Sequence, residues 1–191
     1  MRNATVLSVA PTGTISIIAG CSSGIEPLFA LAFVRNVMEG TRLLEVNSAF
    51  EQLARERGFY SKELIEEVAK KGSLAGMPGI PEDVRQVFVT DWDIEPEWHV
   101  RMQAVFQKYT DNSVSKTVNL PAEATPQDIR RIYSLAYELK CKGITVYRYG
   151  SKKQQVLTLA GHIPEAIAEP LPYVSAESEY AGGCPSRTCP F

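Results

Sequence analysis

Residues 5–27 read Thr5-Val-Leu-Ser-Val-Ala-Pro-Thr-Gly-Thr-Ile-Ser-Ile-Ile-Ala-Gly-Cys-Ser-Ser-Gly-Ile-Glu-Pro27, and this stretch decides the fold. The apolar run over residues 5–10 predicts a buried central strand that stops at Pro11 and has no hairpin partner nearby. A Thr-Gly-Thr turn follows, and the apolar run from Ile15 to Ala19 predicts the opening of a helix. A strand that turns directly into a helix is typical of α/β proteins.

The turn between this strand and this helix has the chemistry of a phosphate site. The first turn of a helix exposes unpaired N–H groups and a partial positive charge. Gly13 lets an anion approach the backbone, and the hydroxyls of Thr12, Thr14 and Ser16 are further donors. Because no Lys follows in Walker spacing, the turn is not the P-loop of nucleotide triphosphatases. An ordinary helix capped by Thr12 or Thr14 is the alternative interpretation.

The rest of the chain predicts several helices and one further strand, with parallel pairing. After residue 157 the periodic pattern ends, and Pro, Gly, Ser and Glu residues predict a mobile tail. The expected elements are a strand or buried helix over 28–37, helices from Leu43 to Gly58, from Ser61, from Pro81, over 93–109 and from Thr125 to Gly143, and a strand over 144–147.

Composition excludes several classes of protein. The 191 residues are 45% hydrophobic and 22% charged, as in ordinary globular domains. A net charge of −2 gives no electrostatic basis for binding nucleic acid or an acidic membrane. The apolar runs are too short to span a bilayer, and no signal peptide is evident. The four Cys are too few and too unevenly placed for a disulfide scaffold, so we expect a cytoplasmic protein with reduced thiols.

The two cysteines near the end of the chain are candidate redox residues. The sequence Cys184-Pro-Ser-Arg-Thr-Cys189 can close a small disulfide loop, and Arg187 favours the reactive thiolate. Zinc binding would need four ligands, and no other Cys or His is near in sequence. Two solvated thiols without a role are the remaining alternative.

The other reactive side chains give weaker indications. We expect Cys21 and Cys141 to be small buried hydrophobic residues, and His99 to pack rather than to act as a base. Glu26 stands in an apolar setting and needs a partner, for which a backbone hydrogen bond is the leading expectation. Neither a metal site nor a Ser-His-Asp set can be assembled from the sequence.

Six short motifs, in one order, carry a resemblance to a known family. The motifs are Pro11-Thr-Gly-Thr-Ile-Ser16 with Ser22-Ser-Gly-Ile-Glu-Pro27, Phe59-Tyr-Ser61, Pro96-Glu-Trp-His-Val-Arg-Met-Gln103, Tyr109-Thr-Asp-Asn-Ser-Val-Ser-Lys-Thr-Val-Asn119 and Cys141-Lys-Gly-Ile-Thr-Val-Tyr-Arg148. In this order they resemble the C-terminal part of ribonucleotide reductase large chains, most of all the adenosylcobalamin-dependent class II, over roughly residues 2–157. Class I chains of that family have two adjacent tyrosines where Gly143 and Ile144 stand here.

The resemblance implies a fold. Residues 1–158 would be the C-terminal portion of the family's ten-stranded α/β barrel, and residues 159–191 a flexible tail with a redox Cys pair. The neighbours of the strand over residues 5–10 would then lie in a preceding segment that this chain lacks. Class II tails often carry a zinc-ribbon-like set with more Cys than this one, so the tail departs from that pattern.

The resemblance also implies a function. The family makes deoxyribonucleotides from ribonucleoside di- or triphosphates by thiyl-radical chemistry, and class II generates the radical with adenosylcobalamin. Cys184 and Cys189 would re-reduce the active-site disulfide, and a thioredoxin-like reductant would then reduce the disulfide that they form. The thiyl cysteine would belong to a missing N-terminal catalytic segment, so the chain is not expected to be active alone. A non-catalytic phosphate- or nucleotide-binding module and a truncated remnant are the alternatives. The residues that would hold the substrate phosphates are Pro11, Thr12, Gly13, Thr14, Ile15 and Ser16.

Overall fold

A computed structural model describes residues 2–36, 42–151, 157–158 and 173–174. These residues form two compact units, the first from residues 2–27 and 94–151, the second from residues 28–93 and the two short strands that follow. The helices are α1 (Gly13–Ala19), α2 (Ser48–Glu56), α3 (Lys62–Lys71), α4 (Glu82–Val87), α5 (Pro96–Gln107) and α6 (Pro126–Glu138). The strands are β1 (Ala32–Asn36), β2 (Arg42–Val46), β3 (Thr117–Leu120), β4 (Thr145–Arg148), β5 (Leu157–Thr158) and β6 (Tyr173–Val174).

The first unit is built on a parallel β–α–β arrangement. Strands β3 and β4 pair in parallel from Thr117↔Thr145 to Leu120↔Arg148, and α6 connects them. The α/β class is therefore confirmed, and the expected parallel pairing holds for the sheet of this unit. The described strands form one four-stranded and one two-stranded sheet, and they do not by themselves close a barrel.

The segment over residues 5–10 differs from the expected buried strand. It makes one parallel bridge, between Val9 and Val114, so it has a partner within this chain. Its other apolar side chains are open to solvent, with Val6 74% and Leu7 53% exposed. The run of Val and Leu has the composition of a central strand. Among the described residues, however, its backbone pairs only with residues 112–115.

Helices α5 and α6 pack on this small sheet through an apolar core. Helix α6 begins as expected, because Thr125 and Asp128 form a reciprocal capping box. Its end is not where Gly143 predicted it, since the left-handed residue after the helix is Lys140, with φ of 63°. The core side chains are Val100, Val118, Leu120, Ile132 and Ala136, whereas Tyr133 and Tyr137 of α6 are exposed.

The second unit is a four-stranded sheet in the order β5-β1-β2-β6, with helices packed against it. Strands β1 and β2 pair antiparallel, β5 pairs antiparallel with β1, and β6 pairs in parallel with β2. The helix expected from Leu43 was wrong in its first part, because residues 42–46 form β2. Leu44 and Val46 alternate with Glu45 and are buried, which is a strand pattern. Helix α2 begins only after Asn47, whose side chain accepts the Phe50 N–H at 3.0 Å.

The remaining expectations for this unit hold. Residues 28–37 contain strand β1, and Ser61 caps α3 by accepting the Leu64 N–H at 3.0 Å. Gly72 ends α3 in the left-handed conformation, with φ of 80°. The core consists of Leu31, Ala32, Val34, Leu44, Val46, Phe50, Ile65, Val68, Ala69, Leu74, Met77, Ile80 and Val84.

Candidate functional site

Residues 11–16, called here the phosphate loop after the role predicted from the sequence, turn sharply into helix α1. Thr12 has a φ of 52°, a value that residues other than glycine rarely adopt. The helix then begins at Gly13, two residues before the expected Ile15, and the Ser16 N–H donates to the Thr12 carbonyl at 2.9 Å. The loop and the first turn of α1 therefore form one tight backbone unit.

The phosphate loop presents backbone rather than hydroxyls alone. Gly13 and Thr14 are exposed, and the position of a Gly13 Cβ has no other group within 4 Å. Ser16 is buried and its hydroxyl donates to the Gly13 carbonyl at 2.7 Å, so in this structure that hydroxyl closes the helix turn. Pro11 and Ile15 are also exposed, and Thr12 is half-buried.

The segment that leads into the loop is tied to the segment before β3. The Asp111 carboxylate accepts the Val6 and Leu7 N–H groups at 3.0 and 3.1 Å. The Asn112 N–H donates to the Leu7 carbonyl at 3.0 Å, and the Ser115 N–H donates to the Val9 carbonyl at 2.9 Å. The phosphate loop therefore lies at the carboxyl end of an extended segment in a parallel pair, where α/β sheets commonly bind ligands.

The turn over residues 22–27 lies against the start of the phosphate loop. Gly24 has a φ of 49°, and a Cβ at this position would lie 3.0 Å from the Ala10 carbonyl oxygen. A residue with a side chain would be strained in this backbone conformation, and its Cβ would lie unusually close to that oxygen. The close approach of Gly24 therefore couples the turn to the loop.

Glu26, at the end of this turn, is tied to strand β3 by both carboxylate oxygens. Its Oε1 accepts the Thr117 N–H at 2.6 Å, which confirms the expected backbone hydrogen bond. Its Oε2 lies 2.5 Å from the Lys116 ammonium, which in turn lies 2.9 Å from Nδ1 of the buried His99. These three side chains are called the Glu26–Lys116–His99 cluster.

Sequence reasoning missed Lys116, although a signal was present. Val114, Val118 and Leu120 are buried at every second position, and Lys116 occupies the same alternating register. Alternation therefore places a charged side chain on the buried face of an extended segment. A lysine in that register needs an anionic partner, and Glu26 is the partner.

The cysteines have different environments. Cys21 is exposed, so the expectation of a buried hydrophobic residue was wrong there; it follows the left-handed Gly20 at the end of α1. Cys141 is half-buried, and burial raises the pKa of its thiol, which makes it a poorer nucleophile. The predicted redox pair, Cys184 and Cys189, lies outside the described residues.

The described part of the chain offers neither a metal site nor a membrane span. Among the described residues, no three His, Cys, Asp or Glu side chains are grouped so that they could hold a metal ion. His99 is engaged by Lys116, and His162 lies outside the described residues. The helices in the described part of the chain lack the length and apolar character that crossing a membrane requires.

Comparison with protein families and curated proteins gives consistent matches. A family model described as the ribonucleotide reductase barrel domain matches residues 1–147. A vitamin B12-dependent ribonucleoside-diphosphate reductase of Mycobacterium tuberculosis is 54% identical over 190 residues, and one of Thermoplasma acidophilum is 50% identical over 199 residues. These alignments cover 100% and 99% of this chain but 26% of each relative, so the chain spans about a quarter of their length.

A solved structure has the same fold over most of the chain. It is the alpha subunit of a class Id ribonucleotide reductase from Actinobacillus ureae, with a TM-score of 0.64 and 26% sequence identity. The match covers 78% of this chain and 27% of that subunit. The structural and sequence comparisons therefore agree on ribonucleotide reductases.

Proposed function

The chain belongs to the ribonucleotide reductase barrel-domain family, and from that premise we propose that it is part of an adenosylcobalamin-dependent reductase of ribonucleoside diphosphates. The observation that carries the proposal is the identity of 50–54%, over essentially the whole chain, to relatives whose names state dependence on vitamin B12 and a ribonucleoside-diphosphate substrate. Gly143 and Ile144, where class I chains have two tyrosines, support the same class because neither side chain can carry a radical.

Within that enzyme, we assign the substrate phosphates to the phosphate loop. Gly13 and Thr14 open the first turn of α1, where N–H groups lack acceptors within the helix and a partial positive charge favours an anion. Thr12 and Thr14 add hydroxyls next to these N–H groups. Charge-assisted hydrogen bonds of this kind contribute about 1.5–3 kcal/mol each.

Adenosylcobalamin would supply the radical when it is bound, and among the described residues we assign no ligand to its cobalt ion. His99, the described histidine, is buried and its Nδ1 is engaged by the Lys116 ammonium, so it is not open to a cobalt ion. We therefore do not assign His99 as a cobalt ligand. The catalytic thiyl cysteine and the cofactor site are proposed to lie in the rest of the enzyme, which is the partner of this barrel segment.

The proposed role of the remaining candidates is re-reduction. Cys184 and Cys189 would pass two electrons and two protons to the active-site disulfide, becoming a disulfide themselves. A thioredoxin-like reductant would then restore the two thiols. This chemistry fits a cytoplasmic enzyme, where such reductants keep thiols reduced.

Gly13→Asp in a complete reductase containing this sequence tests the phosphate assignment. The substitution adds a negative charge where the anion must approach, so we expect the affinity for cytidine diphosphate to fall about a hundredfold, or about 2.7 kcal/mol. Equilibrium dialysis measures the affinity, and circular dichroism checks the fold.

The matched control is Gly13→Ala. A Cβ at this position has no heavy atom of another group within 4 Å, so Gly13→Ala should fold as the parent does. Because alanine adds a methyl group but no charge, its loss of nucleotide affinity should be clearly smaller than that of Gly13→Asp. If the Gly13→Asp enzyme is folded and binds cytidine diphosphate as tightly as the parent, the loop is only a capped turn and the assignment is wrong.

A further inference from the structure

We propose that the Glu26–Lys116–His99 cluster is the positioning device of the phosphate loop. The proposal rests on the phosphate-binding function proposed above and adds to it three residues that do not touch substrate. Glu26 and Lys116 would fix the turn over residues 22–27 against strand β3, and the turn would hold the loop at the place where substrate phosphates bind. His99 would complete the surroundings of the Lys116 ammonium.

The first support is the complete satisfaction of a buried cation. The Lys116 side chain is only 2% exposed, and an ammonium in such a place is costly unless each of its donors is paired. The ammonium has three donor hydrogens and three acceptors, namely Glu26 Oε2 at 2.5 Å, His99 Nδ1 at 2.9 Å and the Thr117 carbonyl at 3.2 Å. The three acceptors fix the ammonium in one place. Because Nδ1 accepts this hydrogen bond, the neutral His99 ring carries its proton on Nε2.

The second support is a short chain of contacts from the cluster to the loop. The Glu26 carboxylate accepts hydrogen bonds at the start of β3 from two groups, the Lys116 ammonium and the Thr117 N–H. Two residues earlier, Gly24 approaches the Ala10 carbonyl so closely that a Cβ would lie 3.0 Å from it. The phosphate loop begins at Pro11, the residue after Ala10. A shift of the Glu26 carboxylate would therefore be transmitted to the backbone that precedes Gly13.

The third support is that a buried ion pair is a poor source of stability. Replacing such a pair by apolar groups of similar size is often neutral or stabilising, whereas removing one partner leaves an uncompensated charge. The side chain of Glu26 is 22% exposed, so the pair lies at the edge of the unit and not at its centre. A pair of this kind is suited to fixing the geometry of the backbone segments that it joins.

The test uses Glu26→Gln in a complete reductase containing this sequence. Glutamine keeps the shape and still accepts the Thr117 N–H, but it removes the charge that holds Lys116. We expect the Kd and the KM for cytidine diphosphate to rise about tenfold, while kcat at saturating nucleotide stays within about twofold. A residue that only stabilised the fold would lower the melting temperature and leave the Kd of the folded enzyme unchanged.

Two further variants keep the test decisive. Adding Lys116→Met to Glu26→Gln removes the orphaned cation, so the double variant should lose less affinity than the sum of the two single variants. Gly24→Ala disturbs the same link without altering any charge, and it should also raise the Kd severalfold. Gly24→Ala carries the test if Glu26→Gln does not fold.

The matched control is Asp83→Asn, which breaks the Arg57–Asp83 ion pair of the second unit. This pair has a similar separation of 2.5 Å but side chains 43% and 61% exposed, so its loss should change neither Kd nor kcat. Folded Glu26→Gln and Gly24→Ala enzymes with the parental Kd overturn the positioning proposal if Gly13→Asp weakens binding. If Gly13→Asp itself has no effect, the proposed function of the loop fails, and the positioning proposal fails with it.

Discussion

Thr12 is the most unusual single residue of the candidate site. A β-branched residue with a φ of 52° is strained, because the left-handed region costs a residue with a side chain roughly 1–2 kcal/mol. Strain of this kind persists where the surroundings enforce it, and it is concentrated at binding and catalytic sites. Here the turn at Gly24 on one side and helix α1 on the other enclose Thr12.

Thr12→Gly should separate stability from binding. Glycine adopts the left-handed conformation without strain, but it raises the conformational entropy of the unfolded chain, which lowers the free energy of unfolding by about 0.5–1 kcal/mol. We therefore expect the free energy of unfolding of the complete enzyme to stay the same or rise by up to about 1 kcal/mol. The Kd for cytidine diphosphate should rise about fivefold, because a donor hydroxyl and a fixed turn are lost.

Urea unfolding and equilibrium dialysis measure the two quantities for Thr12→Gly. A clear loss of stability together with parental nucleotide affinity would show that Thr12 serves the fold and not the ligand.

At the scale of single residues, the sequence indicated the turn at residues 11–16 but not the more distant residues that hold it in place. Gly13 and its neighbouring hydroxyls could be identified because strand, turn and helix follow one another within a few residues. Lys116 could not be paired with Glu26, because the two residues are 90 positions apart and only the fold brings them together. The same limit applies to Gly24, whose role depends on the approach of Ala10.

Helix α6 shows why the ends of helices differ in predictability. Its start is a local signal, since Thr125 and Asp128 bond to each other's backbone within one turn. Its end is closed by two hydrogen bonds, from the Lys140 N–H to the Tyr137 carbonyl at 3.1 Å and from the Cys141 N–H to the Ala136 carbonyl at 2.9 Å. This is a Schellman motif with lysine where glycine is usual. Gly143, the expected end, lies beyond it.

Lys140→Gly should stabilise the protein. Glycine removes the strain of a left-handed lysine, with φ of 63°, and the loss of the Lys140 contact with the Tyr137 ring offsets only part of the gain. We expect the free energy of unfolding to rise by about 0.5–1 kcal/mol, measured by urea denaturation of the complete enzyme.

Gly143→Ala is the matched control for Lys140→Gly. Gly143 is not in the left-handed region, and a Cβ at this position would have no heavy atom of another group within 4 Å, so alanine should be neutral. A destabilised Lys140→Gly variant would mean that the Lys140 side chain contributes more than its backbone strain costs. A strongly destabilised Gly143→Ala variant would mean that Gly143 also helps to fix the end of the helix.

Strand β2 shows the limit of periodicity over short distances. Leu44 fits a helical face that includes Phe50 and Ala54, and it also fits the alternation of Leu44 and Val46 in a strand. Pairing of β2 with β1 decides in favour of the strand, with Leu44 opposite Val34. Asn47 then separates strand from helix by capping α2.

At the scale of the whole chain, the two units are interleaved in sequence. Residues 28–93, which interrupt the first unit in sequence, belong to the second unit. Strands β5 and β6, which follow β4 in sequence, also belong to the second unit. Such long-range pairing has no local signal, so it could not be predicted. The boundary between a barrel segment and a tail at residues 158 and 159 stays a prediction, although Tyr173–Val174, within the expected tail, pair with β2.

The Cys184–Cys189 pair is a prediction about the complete enzyme. In the proposed reaction the active-site thiols would lose two electrons and two protons and become a disulfide. A tail thiolate would then attack that disulfide, and the second tail thiol would resolve the mixed disulfide, so that the tail becomes oxidised and the active site reduced. Cys184→Ser or Cys189→Ser should therefore abolish continuous turnover driven by thioredoxin, yet leave a single turnover of the pre-reduced enzyme intact.

The reductant distinguishes this role from a structural one. A small dithiol reaches the active-site disulfide without the tail, so it should restore turnover in both variants, as measured by deoxycytidine diphosphate formed per enzyme. The matched control is Cys21→Ser, which removes an exposed free thiol and should keep thioredoxin-driven turnover at the parental rate. If both tail variants turn over normally with thioredoxin, the pair is two solvated thiols. If a small dithiol fails to rescue them, the cysteines act elsewhere than in re-reduction.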